Sequence, residues 1–328
     1  TMNDDSRAPV RRALIIIPGT VNYFHNLSGR RLAEALATLG FTVEVSTLGE
    51  CPRGEYDCCF LSSITESLFS SCTDVADGLE RIRALGNRCQ VVFSLSLDCV
   101  STRWYHLIRE NSARTRVGLI LDLGLHSQVQ FLKPEDQANY RFVFSGLTPS
   151  EARQLELLDE DDAQRTIPWA FVGHMTPHRA ALVDHLVQSV DPRGFVYMPA
   201  AAPYTEKGSP HLNQQQFERV LDRTRYQVWC SHHWYFYMEP ERFRSSLLTG
   251  GVPVKVVDSR QDIPESAPLG YLMMERADVG ERLTAAVFPR LRRRFRDDWR
   301  RFPTLAQEMA RVLRESGIET EGYLFQAA

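Results

Sequence analysis

The stretch Glu239-Pro-Glu-Arg-Phe-Arg-Ser-Ser-Leu-Leu-Thr-Gly-Gly-Val-Pro-Val-Lys255 is the most informative part of this chain. Its pattern predicts a helix with carboxylates and arginines on its first turns, a stop at Gly250-Gly251 and a valine-rich strand after it. The first amides of a helix have no acceptors within the helix, and the helix dipole adds positive potential at the same end. Anions such as diphosphates bind at helix starts of this kind. The stretch therefore predicts an anion-binding helix that leads into a strand.

Length and composition indicate a two-domain cytoplasmic protein. The chain has 328 residues, more than one small core accommodates at roughly 150 residues per domain. A net charge of −3 provides no basic field for nucleic acid, so no nucleic-acid partner is expected. Seven cysteines without a Cys-x-x-Cys pair predict reduced thiols rather than disulfides or zinc ligands. No apolar run approaches about 20 residues, and residues 14–17 are too short for a signal peptide.

Strands and helices alternate in two series, which predicts two α/β domains with parallel sheets. In the first series, strands are predicted at residues 13–17, 41–47, 56–61, 90–97, 116–121 and 141–145, and helices at residues 28–39, 75–85 and 101–111. In the second series, strands are predicted at residues 167–172, 194–198, 226–231, 252–257 and 271–274, and helices at residues 178–190, 213–224 and from residue 239. The acidic residues 157–162 are typical of a solvated link.

The predicted fold class is therefore α/β, with two Rossmann-like doubly wound domains and a helical C-terminal segment. The predicted boundaries are residues 1–162 for the first domain, 163–288 for the second and 289–328 for the C-terminal helix. In such sheets ligands bind beyond the carboxyl ends of the strands, so functional residues are expected directly after strands. The loop at residues 18–29 lacks the Gly-x-Gly-x-x-Gly fingerprint, which argues against an ordinary NAD enzyme.

Four titratable residues follow strands of the first series, namely His25, Asp98, Asp122 and His126. A histidine suits a general base because its pKa lies near working pH, and a carboxylate can orient it. Each residue also has an ordinary structural role open to it. In that role His25 would form a hydrogen bond with the backbone of its loop, and Asp98 would be the N-cap of the next helix.

Two segments resemble the nucleotide-sugar glycosyltransferases with the two-domain GT-B fold. The opening stretch is similar to their donor-site helix, whose pattern is Arg-x-x-Glu-Ala-Leu-Ala-x-Gly-x-Pro-Val, with Ser245 or Ser246 in place of the family glutamate. The segment Phe171-Val-Gly-His-Met-Thr-Pro-His-Arg179 resembles the Phe-x-Gly…Arg-x-x-Leu-Leu start of the donor domain. Within the fold, the resemblance is closest to the spore-maturation-type and group 1 transferases.

The resemblance implies transfer of a sugar from a nucleoside diphosphate, such as UDP, to a hydroxyl acceptor, without a metal or other cofactor. His25 lies seven residues before a Leu-Ala pair, as does the base of inverting enzymes, and Asp98 would orient it. Asp122 and His126 are the alternative pair for the roles of His25 and Asp98. The first domain would face the acceptor, the second would bind the donor, and the last helix would cross back to the first domain. A sugar-nucleotide epimerase and a non-catalytic nucleotide-sugar binding protein are the alternatives, which assays with a panel of nucleotide sugars distinguish.

Donor binding is expected from glycine backbone, arginine forks and carboxylates near two helix starts. The predicted donor-site residues are Gly19, Gly173, His174, Arg179, His233, Tyr237, Glu239, Glu241, Arg242, Gly250 and Gly251. The aromatic stretch at residues 229–237 would either stack on the donor or pack between the domains. Lys255 is expected at the surface. The arginine-rich tail predicts a solvated helix or, alternatively, a peripheral membrane contact.

Overall fold

The computed structural model describes residues 11–19, 23–158, 161–199, 212–232 and 236–320. Two parallel β-sheets flanked by helices form this part of the chain, and we call the regions built on them the first and second domain. The strands are β1 (Arg12–Ile16), β2 (Thr42–Ser46), β3 (Tyr56–Leu61), β4 (Cys89–Ser96), β5 (Leu119–Gly124), β6 (Tyr140–Phe144), β7 (Ile167–Val172), β8 (Phe195–Tyr197), β9 (Thr224–Trp229), β10 (Val252–Val257) and β11 (Met273–Glu275). The helices are α1 (Tyr23–Thr38), α2 (Ile64–Ser70), α3 (Val75–Gly86), α4 (Arg103–Thr115), α5 (Pro134–Gln137), α6 (Pro149–Glu156), α7 (Pro177–Ser189), α8 (Gln214–Asp222), α9 (Pro240–Leu248), α10 (Val279–Arg282), α11 (Phe288–Arg300) and α12 (Leu305–Glu315).

The first sheet has the strand order β2-β1-β3-β4-β5-β6, and its pairs are parallel. Helices cover both faces of such a sheet, which is why its central strands are continuous apolar runs. In β1, for example, the side chains from Ala13 to Ile16 have no exposed surface. β1 pairs with β2 on one side and β3 on the other, so the chain order reverses there. The reversal opens a crevice beyond the carboxyl ends of β1 and β3.

The second sheet has the order β11-β10-β9-β7-β8 and is also parallel, with its reversal between β7 and β9. The two sheets meet through residues that follow strands. The hydroxyl of Tyr237, which follows β9, donates to the carbonyl of Leu97 at the end of β4 (2.5 Å). The ring of His126, which follows β5, lies 3.0 Å from the hydroxyl of Ser266. The carboxyl edges of the two sheets therefore face each other across a cleft.

The first crossover helix begins earlier than the sequence predicts. α1 begins at Tyr23, so the residues from 23 to 27 are helical and not part of a loop. Gly29 lets this helix lie close to β1, because a Cβ at that position would be 2.6 Å from Cγ2 of Ile17. A glycine inside a helix lowers helical propensity, which conceals the first turn from a pattern analysis. His25 is consequently held on a helix, at the edge of the crevice.

The C-terminal region consists of two helices where the sequence predicts one. Around Pro303 the chain passes from α11, whose Phe295 and Trp299 belong to the core of the second domain, to α12. α12 packs against α1 and β6 of the first domain. Its Glu308 carboxylate accepts from the backbone of Phe144 (3.0 Å), and its Arg311 donates to the carbonyl of Phe142 (2.7 Å).

The described helices include none that is long and apolar enough to cross a membrane. The seven cysteines all lie in the described region and none forms a disulfide.

The arginines of α11 divide between buried and exposed positions. Arg292 and Arg296 are buried, whereas Arg290, Arg293, Arg294 and Arg300 are exposed, as is the C-cap residue Arg301.

Candidate active site between the two sheets

Among the described residues, three positively charged side chains and one carboxylate meet at the carboxyl edge of the second sheet. Arg179 of α7 places Nη2 3.5 Å from Oε1 of Glu239, the N-cap residue of α9. Arg242 of α9 donates from Nε to Oε2 of the same carboxylate (2.5 Å). Lys255 of β10 donates from Nζ to the hydroxyl of Ser231 (2.6 Å). The excess of positive charge suits the cluster to an anionic ligand.

The Glu239 carboxylate holds the two guanidinium groups in place. Desolvation opposes its ionisation, but Arg242 and Arg179 outweigh this effect and lower the pKa of Glu239 to about 2. Arg179 also donates from Nε to the carbonyl of Cys230 (3.4 Å) and from Nη1 to the carbonyl of His174 (3.3 Å). Its side chain, 1% exposed, is therefore fixed by backbone that follows both β7 and β9.

Gly173, directly after β7, leaves room for both guanidinium groups. A Cβ at this position would lie 3.1 Å from Nη1 of Arg179 and 3.3 Å from Nη2 of Arg242. Both distances are tighter than nine in ten real Cβ contacts. Arg242 in addition donates from Nη1 to the carbonyl of Val172 (2.8 Å). A larger residue at 173 would require both guanidinium groups to shift by a few tenths of an ångström.

Two histidines adjoin the cationic cluster. The rings of His174 and His232 have centroids 4.3 Å apart and are tilted by 42°. Burial lowers the pKa of His232 to about 3, and the charge of Arg179 adds to this effect. His232 is therefore neutral at pH 7 and offers hydrogen bonds without adding charge. His233, which the sequence predicts as a donor-site residue, lies outside the described residues.

The opposite side of the cleft carries His25, Glu66 and Asp98. Nε2 of His25 lies 3.4 Å from Oε1 of Glu66, whereas its buried Nδ1 has no hydrogen-bond partner among the described residues. Desolvation raises the pKa of Asp98, while His25 opposes the shift and the carboxylates of Glu66 and Glu239 add to it. Asp98 is thus close enough to be affected by charges on both sides of the cleft. The residue that contacts His25, however, is Glu66 and not the predicted Asp98.

The rival pair, Asp122 and His126, is not brought together. Asp122 lies within β5 and has no exposed surface, so it does not follow the strand as the sequence predicts. Its Oδ2 accepts from the hydroxyl of Tyr140 and from Nε2 of Gln128 (3.2 Å). Burial raises the pKa of Asp122 to about 7 despite these hydrogen bonds. His126 instead contacts Ser266 of the second domain.

Glu241, predicted to bind the donor, belongs instead to a buried ionic network between the domains. Arg244 donates from Nη2 to Glu241 (2.6 Å) and from Nη1 to Glu151 of α6 (3.0 Å). Arg31 of α1 donates from Nε to the same Glu151 oxygen (2.8 Å) and places Nη1 3.7 Å from Glu241. These four side chains are each at most 11% exposed. Glu239 is therefore the carboxylate of the cationic cluster.

Gly250 and Gly251 lie at the opposite edge of the second sheet, which corrects their assignment to the donor site. The backbone N–H of Gly250 donates to the carbonyl of Leu247 (3.1 Å), and that of Gly251 to the carbonyl of Ser246 (2.8 Å). This is the Schellman ending of a helix, with Gly250 in the left-handed region at φ +74°. The pair ends α9 ahead of the amino end of β10, whereas Glu239 begins the same helix at the cleft.

Gly19 and Tyr237 also have hydrogen-bond partners within the protein. Gly19 follows β1 with φ +67°, and its backbone N–H donates to Oδ1 of Asn26 (3.0 Å). It therefore shapes the connection into α1 on the first-domain side of the cleft. The Tyr237 hydroxyl donates to Leu97 and so links the domains.

Sequence reasoning missed two residues of the site, Glu66 and Lys255. Glu66 is the last residue of Ser63-Ile-Thr-Glu66, a capping-box spacing directly after β3, and its backbone N–H is bound by the Ser63 hydroxyl (3.2 Å). The sequence feature that could have indicated Glu66 is its position as a carboxylate soon after a strand. Lys255 is 2% exposed rather than at the surface. The sequence feature that could have indicated Lys255 is a charged residue inside the apolar run of β10. A strand buried on both faces has no exposed side for such a residue.

No protein-family model and no curated protein matches the chain. Among solved structures, an α-glucosyltransferase in complex with UDP and a 13-mer DNA containing an HMU base matches with a TM-score of 0.55 at 11% identity, covering 94% of this chain and 99% of that chain. The glycosyltransferase SnogD from Streptomyces nogalater matches with a TM-score of 0.42 at 15% identity, over 93% of this chain and 100% of that one. SsfS6 from Streptomyces sp. SF2575, complexed with thymidine diphosphate, matches with 0.41 at 12% identity, over 93% and 99%.

The first of these matches shows the fold. The chain has the two-domain GT-B fold of glycosyltransferases, with two parallel sheets and flanking helices. The fold class predicted from the sequence is thereby confirmed. At 11% identity the likeness extends to the fold and not to the substrates.

Proposed function

We propose that this chain is a glycosyltransferase that moves a sugar from a nucleoside diphosphate to a hydroxyl acceptor. The observation that carries the proposal is the cluster of Arg179 and Arg242 around Glu239, at the topological reversal of the second sheet and across the cleft from His25. Ligands of open α/β sheets bind at such reversals. UDP is the nucleotide to test first, because it is bound to the solved α-glucosyltransferase that shares the fold.

In the proposed reaction, the diphosphate lies against Gly173, the start of α7 and the two arginines. When the bond from the sugar C1 to the phosphate oxygen breaks, the electron pair stays on the diphosphate, which becomes more negative. Arg179 and Arg242 stabilise this charge more strongly in the transition state than in the ground state. Because Glu239 and backbone carbonyls already hold both guanidinium groups, little reorganisation accompanies the step.

His25 is the proposed general base. With the Glu66 carboxylate 3.4 Å from Nε2, the imidazole takes the proton of the acceptor hydroxyl, whose oxygen forms the new bond to C1. The Glu66 carboxylate stabilises the resulting imidazolium, as the acid of a catalytic triad does. Attack from the side opposite the diphosphate inverts the anomeric centre. The support is that α1 holds His25 at the carboxyl edge of the first sheet, beside the Glu66 carboxylate.

The arginines of the site are proposed to serve in place of a metal ion. In the described part of the chain, no group of three or more His, Cys, Asp or Glu side chains is arranged to hold a metal. Guanidinium forks and a helix start provide the positive charge that a leaving diphosphate requires. Transfer is therefore expected to continue in EDTA.

The test is incubation with a panel of UDP-sugars, with and without EDTA, followed by mass spectrometry of the nucleotides. We expect release of UDP from at least one member, by hydrolysis or by transfer to an added hydroxyl acceptor. Conversion of one nucleotide sugar into another without UDP release would identify an epimerase instead. Binding without any conversion would identify a non-catalytic binding protein, and neither binding nor conversion of any nucleotide sugar would contradict the proposal.

A further inference from the structure

Lys255 carries a buried ammonium group that no described carboxylate contacts. It is 2% exposed, and none of the ion pairs within 4.0 Å between described residues includes it. Within the described part of the chain, its one hydrogen bond goes to the hydroxyl of Ser231 (2.6 Å). The Nζ atom also lies 4.2 Å from the ring centre of Trp229 and 5.7 Å from that of Phe236. An ammonium group has three N–H donors, of which Ser231 accepts only one.

A charge in this position is unfavourable in the absence of a ligand. Burial lowers the pKa of Lys255 to about 8, and the more distant Glu239 opposes the shift only in part. Glu239 is already engaged by Arg179 and Arg242. A buried cation without a counterion destabilises a folded protein, so an anion that enters the cleft has a ready partner here.

The ammonium lies in the cationic cluster and not elsewhere in the sheet. Ser231, which accepts from Lys255, is adjacent in sequence to Cys230, whose carbonyl accepts from Arg179 (3.4 Å). The ring of Trp229, next to Lys255, lies 5.4 Å from the guanidinium carbon of Arg242. The indole N–H of this tryptophan is also buried without an acceptor among the described residues. Three cations and an orphaned donor thus surround the carboxyl end of β9.

We propose that Lys255 is a further anion-binding residue of this site, and that its ammonium binds an oxyanion of the donor beyond those bound by Arg179 and Arg242. This inference rests on the proposed function. The oxyanion is the second phosphate of the nucleoside diphosphate or a carboxylate on the transferred sugar. Both offer the paired oxygens that an ammonium group in a dry site binds.

The experiment is calorimetric titration of four ligands, namely UMP, UDP, UDP-glucose and UDP-glucuronic acid, into the wild type and the Lys255→Met variant. Methionine keeps an unbranched side chain, one atom shorter than that of lysine, and removes its charge. If Lys255 binds the second phosphate, the variant should lose tenfold or more in affinity for UDP and both sugars and none for UMP. If it binds a sugar carboxylate, only the affinity for UDP-glucuronic acid should fall by that factor.

Two further variants separate the possible failures. Lys133→Met removes an exposed lysine outside the site and should leave every affinity unchanged. Arg179→Met should weaken UDP binding whatever Lys255 does. Wild-type affinities in Lys255→Met for all four ligands, together with weak UDP binding in Arg179→Met, would overturn the inference and leave the proposed function standing. A wild type that binds none of the ligands would remove the proposed function itself.

A measurement on the wild type keeps the inference testable if the variant does not fold. The affinity for UDP-glucuronic acid should fall above about pH 8, by up to tenfold per pH unit, as the free ammonium loses its proton. The other groups that face Lys255 do not titrate in this range: Glu239 stays ionised, Arg179 and Arg242 stay protonated, and burial raises the pKa of Cys230. A constant affinity between pH 7 and about 9.5 would overturn the inference.

Discussion

Arg31 and Glu241 lie 3.7 Å apart, and this pair joins the helix that carries His25 to the helix that Glu239 caps. Arg31 is on α1, six residues after His25, and Glu241 is on the first turn of α9. One part of each helix therefore contributes to the ionic network between the domains, and the start of each helix contributes to the proposed site. The network fixes the separation between the proposed base and the cationic cluster.

Glu151→Gln should destabilise the protein strongly, because it leaves Arg31 and Arg244 buried with only Glu241 between them. Breaking a buried ion pair from one side costs about 3–5 kcal/mol. Urea unfolding at pH 7 measures this change. The control is Glu315→Gln, since Glu315 is 43% exposed in its pair with Arg311 and such pairs contribute at most about 1 kcal/mol.

The same residue gives an expected pH dependence of stability. Desolvation opposes the ionisation of Glu151, but Arg31 and Arg244 outweigh it and lower the pKa below its ordinary value of 4.5. The contribution of Glu151 is thus present above pH 4.5 and is lost as the pH falls through the lowered pKa. Glu151→Gln should lack this component of acid destabilisation. Equal losses of stability in both proteins between pH 5 and pH 3 would contradict the network.

Arg179→Met should weaken UDP binding by roughly 2–3 kcal/mol, the usual loss when a charged hydrogen-bond donor is removed. The side chain is 1% exposed and lies beside Gly173, so the loss should appear in affinity measured by calorimetry. Arg219→Met, on the exposed face of α8, is the matched control. An unchanged affinity in Arg179→Met would remove this residue from the site.

His25→Ala should lower turnover about 10²–10⁴-fold, the usual share of general-base catalysis, while donor affinity stays near the wild-type value. Glu66→Gln should act less severely, because the ring keeps its place on α1 but loses the carboxylate that stabilises the imidazolium formed in the reaction. Steady-state kinetics measure both effects. The control is His106→Ala, on an exposed part of α4.

Substitutions at the other candidates decide the identity of the base. Asp98→Asn should reduce turnover less than His25→Ala, since Asp98 is close to His25 but does not contact it in the described structure. Normal turnover in His25→Ala together with inactive His126→Ala or Asp122→Asn would assign the base to the region around β5. If none of the four substitutions lowers turnover, the reaction does not use general-base catalysis from this side of the cleft.

Lys255→Met should stabilise the ligand-free protein at pH 7 by about 1–3 kcal/mol, because it removes a buried cation that has no counterion. The folded-state pKa of about 8 lies below the ordinary value of 10.5. Between these values the unfolded chain binds more protons, so wild-type stability rises with pH and the advantage of the variant shrinks. Urea unfolding at pH 7 and pH 10 tests this. A variant that is less stable than the wild type at pH 7 would mean that the ammonium is satisfied within the protein.

The strands were predictable because buried parallel strands are continuous apolar runs. The strand predicted at residues 252–257 has those bounds in the structure, as β10. The same rule misplaced Asp122. The apolar run ends at Leu121, so the strand was expected to stop there, but Asp122 pairs with Phe142 of β6 and lies inside β5. A carboxylate continues a buried strand here because the Tyr140 hydroxyl donates to it, a contact that local sequence does not reveal.

The partners of the site residues were less predictable for the same reason. The sequence singled out His25, Arg179 and Glu239 as candidates because they follow strands or begin helices. It did not identify Glu66 as the neighbour of His25, because the two lie 41 residues apart in sequence and meet only where β1 and β3 are adjacent. Nor did it show that Glu241 faces α1, since the ion pair with Arg31 forms only after the two domains meet.

The most direct measurement is a structure of the protein with UDP bound. We predict both phosphates at the carboxyl ends of β7 and β9, with oxygens within hydrogen-bonding distance of Arg179 and Arg242 and beside the backbone of Gly173. The open part of the cleft between this diphosphate and His25 would then mark the place of the acceptor. A UDP molecule bound elsewhere, for example along the exposed arginines of α11, with no phosphate oxygen near Arg179 or Arg242, would contradict the proposed site.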